Sequence, residues 1–552
     1  MNNAGYRAKG RGLDWSEKIA TLRFVLFLLF SMRFAISSVL LILCGLLFFM
    51  PGCASVQEYV APQGPSDGQI TILLKGPEKT ATDITFDLTA VNILAEDGTL
   101  REISNTPTAI NSLAITGHQV RLGERYISEG RYRKLQLVVK QALIRKKDKT
   151  ANLALPPQRI ETDIDITVKR NENTSLFLSW DPEVSVKEGY LFSPVFTVKS
   201  QVPELSNLLV YVTNEASNNV SVINRQSGEI VATVLAGKGP RGIATSQGKE
   251  HPRVFVANSG SNSVSVIDPT INKVEVEIPL RFGREPEGIA AFSIAPGKEL
   301  IFVANYGSNN VSIIDRATHQ EIDKINVGEG PIAVATDPPA ESLSPTRFLS
   351  FDDLNTLKSY RLKFFNVYVA NKNSRDISVI RIDAVNGRPA EVIRVNAEWG
   401  PIALTVDPQR ARVYVGNYYY DNLSVIDILQ IIKGNIAGSV SEIMGVGTSL
   451  VGIIPEPELD RMYLLKESAD EILIIRPFSE AFSSQRTTTS PVVGAIPVGN
   501  SPRSFILDPE GRKLYVVNRG SDNVSVVDKT TQAEEQVIPV GKKPYGVAMF
   551  PF

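Results

Sequence analysis

From residue 209 onward, short apolar or alternating runs rich in Val, Ile and aromatics are broken by Asn, Gly, Ser and Asp, and the breaks recur. Tyr211-Val212-Thr213-Asn214 is followed by Asn219-Val220-Ser221-Val222-Ile223, and Val254-Phe255-Val256-Ala257-Asn258 by Ser263-Val264-Ser265-Val266-Ile267-Asp268. The phrase returns over residues 302–315, 368–380, 414–427, 463–475 (in worn form) and 515–528, which makes seven copies. A spacing of about 45–65 residues with several short strands per unit marks a propeller or solenoid. Within one unit, residues 242–245, 253–257, 264–268 and 274–278 are each long enough for one strand and are bounded by turn formers. Four antiparallel strands per unit predict an all-β, seven-bladed propeller whose radial packing protects most sheet edges.

The phase of the repeat predicts how the ring closes. It opens on a second-type strand at Leu209 and stops on a first-type strand, Tyr545-Gly546-Val547-Ala548-Met549-Phe550. Pairing Val547 and its neighbours with residues 209–213 would complete the seventh blade. Asn214, Asn258, Asn305, Asn371, Asn417 and Asn518 end second strands, while Asp268, Asp315, Asp427 and Asp528 end third strands. Such side chains bond nearby backbone amides and tolerate left-handed geometry, so they read as structural turn residues. A ligand site needs no six equivalent copies. Asn219, Asn310, Asn422 and Asn523 head Asn-x-Ser sequons, but they fall inside the same phrase and read as turn chemistry too.

Residues 1–52 read as an export signal, with Arg33 before an apolar run over 34–50 and then Pro51-Gly52-Cys53. Met32 makes a more typical signal start than Met1. Cys53 after Gly52 resembles the lipobox of bacterial lipoproteins, which implies that Cys53 becomes the lipid-modified N-terminus. An uncleaved membrane anchor is the alternative. Cys44 and Cys53 are the only cysteines, so the mature chain would hold neither disulfide nor free thiol. Acyl chains contribute about 0.8 kcal/mol per buried methylene, enough for lasting attachment. Ala54, where Asp would suggest inner-membrane retention, is similar to the pattern of outer-membrane lipoproteins of Gram-negative bacteria. Residues 53–67 read as the lipidated Cys and a short tether.

Residues 68–202 lack the repeat and show strand-like runs at 70–74, 84–91, 135–139, 164–168, 175–178 and 192–198, which fits a small β-sandwich. Gly68-x-Ile70-x-Ile72, Gly130-Arg131-Tyr132 before a strand and Ser193-Pro194-Val195-Phe196 resemble an uncharacterised domain at the front of many bacterial lipoproteins. Lys75-Gly76-Pro77 departs from the Asp-Ala-Pro expected there, and the resemblance implies no activity. Residues 205–552 resemble the YVTN-type β-propeller repeat family, carried by Tyr211-Val212-Thr213-Asn214, Val498-Gly499-x-x-Pro502 and Val540-Gly541-x-x-Pro544. That resemblance implies the fold and an extracytoplasmic setting, not one chemistry.

A formal net charge of −1 and no long basic run argue against nucleic acid. His118, His251 and His319 are the only histidines; none pair at metal-ligand spacing, no Cys-x-x-Cys-His exists, and no cofactor is expected. Arg241, Glu287 and Arg503 stand near first-type strands and could face the axis, as in lactonase propellers; salt bridging explains them equally well. Insertions gather on the face opposite the regular phrases: residues 338–365, with a helix-like stretch at 352–364, then 428–446 and 477–491. Such gathering often builds a binding surface, though loop length costs only about 0.6 kcal/mol per doubling and drift would also produce it. The unit bordering the two later insertions is irregular, with Lys466 for the usual Asn and Leu450 for the usual Pro. Phe351, Ile431, Ile432, Phe478 and Phe482 are unusual for solvated loops and form the candidate surface for a protein or glycan partner, or else pack on the rim. The expectation is a non-enzymatic, lipid-anchored binding scaffold at the outer membrane. The alternatives are a periplasmic lactonase-like hydrolase and a structural surface-layer component.

Overall fold

The computed structural model describes residues 67–147, 149–156, 159–199, 205–295, 297–340, 343–477 and 491–551. The signal, Cys53, the tether, Phe478 and Phe482 lie outside the described residues. No described helix is long and apolar enough to cross a membrane.

The protein is all-β. Its front part packs two sheets face to face. One runs Val195–Lys199, Asn173–Asp181, Asp67–Lys75, Gln119–Ser128; the other is built around Asp83–Ala95 and Gly130–Lys146. Ile70, Ile72 and Leu74 point into the core between them, against residues such as Phe86, Leu135 and Trp180, and the Trp180 ring meets Phe86 edge-on at 5.2 Å. Asp67–Lys75 is buried along both faces, because its alternate residues face the repeat sheets. Leu73 joins an apolar cluster with Val210, Val212 and Val547, and Gln69 Nε2 donates to Ser217 O at 2.8 Å. The Gln119 amide serves as a peptide surrogate on the edge strand Glu229–Leu235: its Oε1 accepts from Ile230 N–H (2.8 Å) and its Nε2 donates to Ile230 O (3.3 Å). Lys75–Glu229 (2.7 Å) and Lys273–Glu172 (2.8 Å) add ion pairs across the same junction.

From Leu209 to Met549 the described residues form seven four-stranded antiparallel sheets. Six follow chain order, such as Pro240–Thr245, Val254–Asn258, Ser263–Asp268, Lys273–Pro279. In the remaining one, Pro544–Met549 pairs with Leu209–Asn214, placing Val547 opposite Val212 and Ala548 opposite Tyr211. The first strand of each sheet lies beside the first strand of the next, and Pro544–Met549 lies beside both Pro502–Leu507 and Pro240–Thr245. Each second strand carries one fully buried ring at the same place: Tyr211, Phe255, Phe302, Tyr368, Tyr414, Tyr463 and Tyr515. Such rings supply the largest apolar surfaces available to fill the space between stacked sheets.

The six recurrent asparagines are buried and structural, but not as turn residues. Asn214 Nδ2 donates across the strand pair to Asn219 Oδ1 (2.8 Å) and Ser221 Oγ (2.9 Å). Asn258, Asn305, Asn371, Asn417 and Asn518 repeat this with the residues five and seven places on. The left-handed turn position falls instead on Asn218, Asn262, Asn309, Asp470 and Asp522. Their side chains accept from backbone N–H groups of the loop leading to the next sheet, as Asn218 does from Gly239 (2.9 Å) and Asp522 from Lys543 (2.8 Å). The asparagine that fixes the turn thereby also ties neighbouring sheets. The third-strand aspartates cap turns as expected, with Asp268 Oδ1 accepting from Thr270 N–H at 2.8 Å. Sequon residues Asn219, Asn310 and Asn422 are buried, which fits a packing role.

The long connection before Phe364–Asn371 holds helix α1 (Phe351–Arg361), started by Ser350 Oγ accepting from Asp353 N–H and by Asp352 and Asp353 in the first turn. The 428–446 segment is shorter as a loop than its sequence suggests. It contains helix α2 (Ile428–Ile432) and the fourth strand of its sheet, Val440–Met444.

Candidate functional site

The inner strands share one local pattern. They begin Pro240-Arg241-Gly242, Pro286-Glu287-Gly288, Pro331-Ile332-Ala333, Pro401-Ile402-Ala403, Leu450-Val451-Gly452, Pro502-Arg503-Ser504 and Pro544-Tyr545-Gly546. The third place is always small. A Cβ on Gly288 would stand 2.8 Å from Ile332 O, and one on Gly546 2.6 Å from Arg241 O. Neighbouring inner strands therefore approach to backbone contact there: every third place is Gly, Ala or Ser, and at Gly242, Gly288 and Gly546 even a Cβ would force a shift. The second place is thrown inward. Glu287, Ile332, Ile402, Val451, Arg503 and Tyr545 line one cavity of about 180 Å³, and Arg241 stands behind it, paired with Glu287.

Chemistry is segregated around that cavity. Taken sheet by sheet, Arg503, Tyr545, Arg241 and Glu287 are consecutive and polar, and Ile332, Ile402 and Val451 are consecutive and aliphatic. The polar side chains form one hydrogen-bonded chain. Arg519 Nη2 donates to Glu215 Oε2 (2.6 Å) and Arg241 Nη2 to Glu215 Oε1 (2.7 Å), while Arg241 Nη1 pairs with Glu287 Oε1. Tyr545 Oη donates to Glu287 Oε2 (2.9 Å) and accepts from Arg503 Nη2 (2.7 Å). The guanidinium carbons of Arg503 and Arg241 lie 4.8 Å and 5.6 Å from the Tyr545 ring centroid, close enough for cation–π attraction.

Burial pushes the Glu287 carboxyl above its ordinary range, with Arg241 opposing. Burial alone would also raise Glu215, but hydrogen bonds from Arg519 and Arg241 bring it below its ordinary value. Burial raises the Tyr545 phenol. Both Glu287 oxygens are held by Arg241 and Tyr545, so this carboxylate fixes its neighbours in place and is not poised as a free base. Arg503 differs from Arg241: among the described residues its guanidinium makes a single side-chain hydrogen bond, to Tyr545.

Outside the cavity, the second–third and fourth–first connections carry exposed aromatic residues. Trp399, Tyr419 and Tyr420 stand on one sheet and Phe282 on another. The Arg375 guanidinium lies 3.9 Å from the Trp399 ring centroid, and the Tyr418 and Tyr419 rings meet at 5.0 Å.

On the opposite face, Ile431 and Ile432 follow the second of the two readings, packing on the rim. Ile431 is buried and Ile432 half-buried, packed in one apolar cluster with Leu354, Leu357 and Ile428, because α1 and α2 cover each other. They serve the rim and do not form a solvated partner surface. Phe351 alone of the described candidates is exposed, at 77%. Of the three residues left open between axis and salt bridge, Arg241 pairs with Glu287, and Glu287 and Arg503 line the cavity. His251 and His319 occupy left-handed turn positions with φ of 48° and 54°, and among the described residues no three His, Cys, Asp or Glu side chains gather as a metal site requires. Tyr545, Glu215 and Arg519 were missed in the sequence. The signal for Tyr545 was present, as the residue after Pro in Gly-x-x-Pro-x-small; Glu215 and Arg519 sit in connections of unremarkable composition.

Residues 67–194 match the family described as "Domain of unknown function (DUF4382)". Among curated proteins none matches the chain. Among solved structures, hydrazine synthase of Kuenenia stuttgartiensis is 19% identical, with 59% of this chain and 93% of that one covered and a TM-score of 0.46. A functionally unknown protein from Desulfotomaculum acetoxidans is 11% identical, covers 62% and 98%, and has a TM-score of 0.48. A candidate 6-phosphogluconolactonase from Bacteroides uniformis is 16% identical, covers 62% and 99%, and has a TM-score of 0.45. At this similarity they decide neither fold nor activity.

Proposed function

We propose that the seven repeat sheets are the blades of a closed seven-bladed β-propeller, and that the protein is a non-enzymatic binding scaffold of the cell envelope. The pairing of Pro544–Met549 with Leu209–Asn214 and the side-by-side inner strands support the closed ring. The export signal, lipidation at Cys53 and an outer-membrane location are part of the reading; they rest on residues 1–53 of the sequence. The lipid provides the membrane attachment, the sandwich domain follows the anchor in sequence, and the propeller meets a protein or glycan partner.

The single observation that carries a binding role is the segregated ring at the second place of the inner strands. Ion pairs placed for stability alone need no aliphatic wall opposite them. The partner face is then the one bearing the axial mouth and its exposed aromatics, not the insertion face. Tyr419 and Phe351 are exposed aromatics on these two faces, and each tolerates a photo-reactive phenylalanine. In intact cells, cross-linking from Tyr419 should trap a specific adduct and cross-linking from Phe351 should not. Adducts from Phe351 alone would refute the assignment of the face.

A further inference from the structure

The axial mouth also suggests what fits inside it, an inference that rests on reading this mouth as the binding face. The hydrogen-bonded chain from Arg519 to Arg503 holds three guanidiniums and two carboxylates, Glu215 and Glu287. Glu467 balances the charge from outside the chain, occupied by the Ser501 hydroxyl at 3.2 Å. Hydrogen-bonding capacity is in surplus at one place. A guanidinium offers five N–H donors in a rigid fork, and Arg503 spends one on Tyr545 while lining the cavity. Its plane is already set by that bond and by the ring 4.8 Å away, so little side-chain entropy remains to be lost when an anion arrives. The opposite wall, from Ile332, Ile402 and Val451, offers no polar side-chain atom. One water needs only about 10–15 Å³ of such space, so a cavity of about 180 Å³ admits a ligand of several heavy atoms.

We infer that the axial cavity binds the carboxylate end of a short aliphatic acid. The carboxylate accepts from the unspent edge of Arg503 in the fork geometry that makes Arg–carboxylate pairs strong, and its chain lies along Ile332, Ile402 and Val451. An amine of the same length meets the Arg503 guanidinium, and an alcohol cannot accept from two donors in parallel. Short acids, of about four to six carbons, match a cavity of this size with its mouth open to solvent.

Calorimetric titration of the full-length protein with butanoate, hexanoate, 1-hexanol and hexylamine tests this. Hexanoate should bind about tenfold or more tightly than hexanol or hexylamine. Arg503→Gln should remove that preference, and Phe351→Ser, on the far face, should keep it. Equal binding of hexanoate and hexanol to the unaltered protein would overturn the inference, as would no heat from either acid. The unaltered protein alone decides those outcomes, so a misfolded Arg503 variant does not rescue the idea. If the acids fail while Tyr419 still captures an adduct, the ligand class falls and the binding face stands. If hexanoate binds through Arg503 and Tyr419 captures nothing, the ligand class stands and the macromolecular partner falls.

Discussion

Gly288 gives the sharpest test of how the inner strands are arranged. A methyl group there would lie 2.8 Å from Ile332 O, 2.9 Å from Ala333 Cα and 3.1 Å from Val334 N, all backbone of the next inner strand. Ordinary contacts begin at 3.4 Å, so the two strands must separate by about half an ångström at the point where the cavity is walled. Overpacking costs about 1–3 kcal/mol, and rigid backbone on the receiving side puts this site toward the upper end. Replacing Gly at a compatible φ returns about 0.4–1 kcal/mol by restricting the unfolded chain. Gly288→Ala should therefore lose about 2 kcal/mol net. Gly248 is the internal control, since a Cβ there meets nothing within 4 Å; Gly248→Ala should be neutral or slightly stabilising. Equilibrium urea unfolding measures both, compared at constant slope so that the midpoints report stability. If Gly288→Ala and Gly248→Ala share a midpoint, the inner strands do not meet as described, and the reason given for seven small residues fails.

Deleting residues 545–552 removes Val547 from its place opposite Val212 and the Phe550 ring set edge-on 6.1 Å from Tyr211; the sharp calorimetric transition should broaden and shift downward, and an unchanged transition would refute ring closure. Burial raises the Glu299 carboxyl above its ordinary range, against hydrogen bonds from Ser246 and Gln247. The folded state then holds that proton more tightly than the unfolded chain, so its contribution favours folding below the ordinary carboxylate range and is lost as pH rises through the raised value. Glu299→Gln should flatten this part of the stability profile, from the ordinary carboxylate range upward, and a profile parallel to that of the unaltered protein would count against it.

The repeat sheets were legible because each strand is short, apolar and bounded by residues with strong turn chemistry, and because the phase of the first and last strands differs. In the sandwich, the strands with buried alternation were legible and those at 100–104, 108–111, 119–128 and 149–153 were not. Gln119–Ser128 shows why: its polar residues face the repeat sheets, where Gln119 bonds Ile230 and Glu124 accepts from Asn219 at 2.9 Å, so it reads as a charged connection until its neighbour is known. The asparagine roles were half legible. Composition showed them to be structural, but whether Asn214 or Asn218 sets the turn depends on a backbone φ that the repeat phrase does not encode. Ile431 misled for a related reason, since an apolar residue in an insertion is buried or exposed according to whether a second insertion covers it. The helix pair α1 and α2 decides that, from segments far apart in sequence.

The axial ring resisted sequence reading because its residues come from seven places in the chain, yet its logic follows from the repeat. A repeated scaffold keeps constant what the packing demands. The buried second-strand ring and the small third residue of the inner strand hold in all seven sheets, and the buried Asn in six. The second place of the inner strand is free of that demand because it faces a cavity, and there the copies diverge into Arg, Glu, Ile, Ile, Val, Arg and Tyr. Unconstrained drift would scatter polar and apolar residues around the ring. Here the four polar residues are adjacent and joined by hydrogen bonds, and the three aliphatic residues are adjacent opposite them. Burying Glu287 so deeply costs stability that a Val or Ile at that place would not, and the cost brings an oriented Tyr545 and, through it, an oriented Arg503. A polar arc maintained against its desolvation cost, facing a dry arc across a space of small-molecule size, is the arrangement expected of a site that recognises one end of an amphipathic ligand.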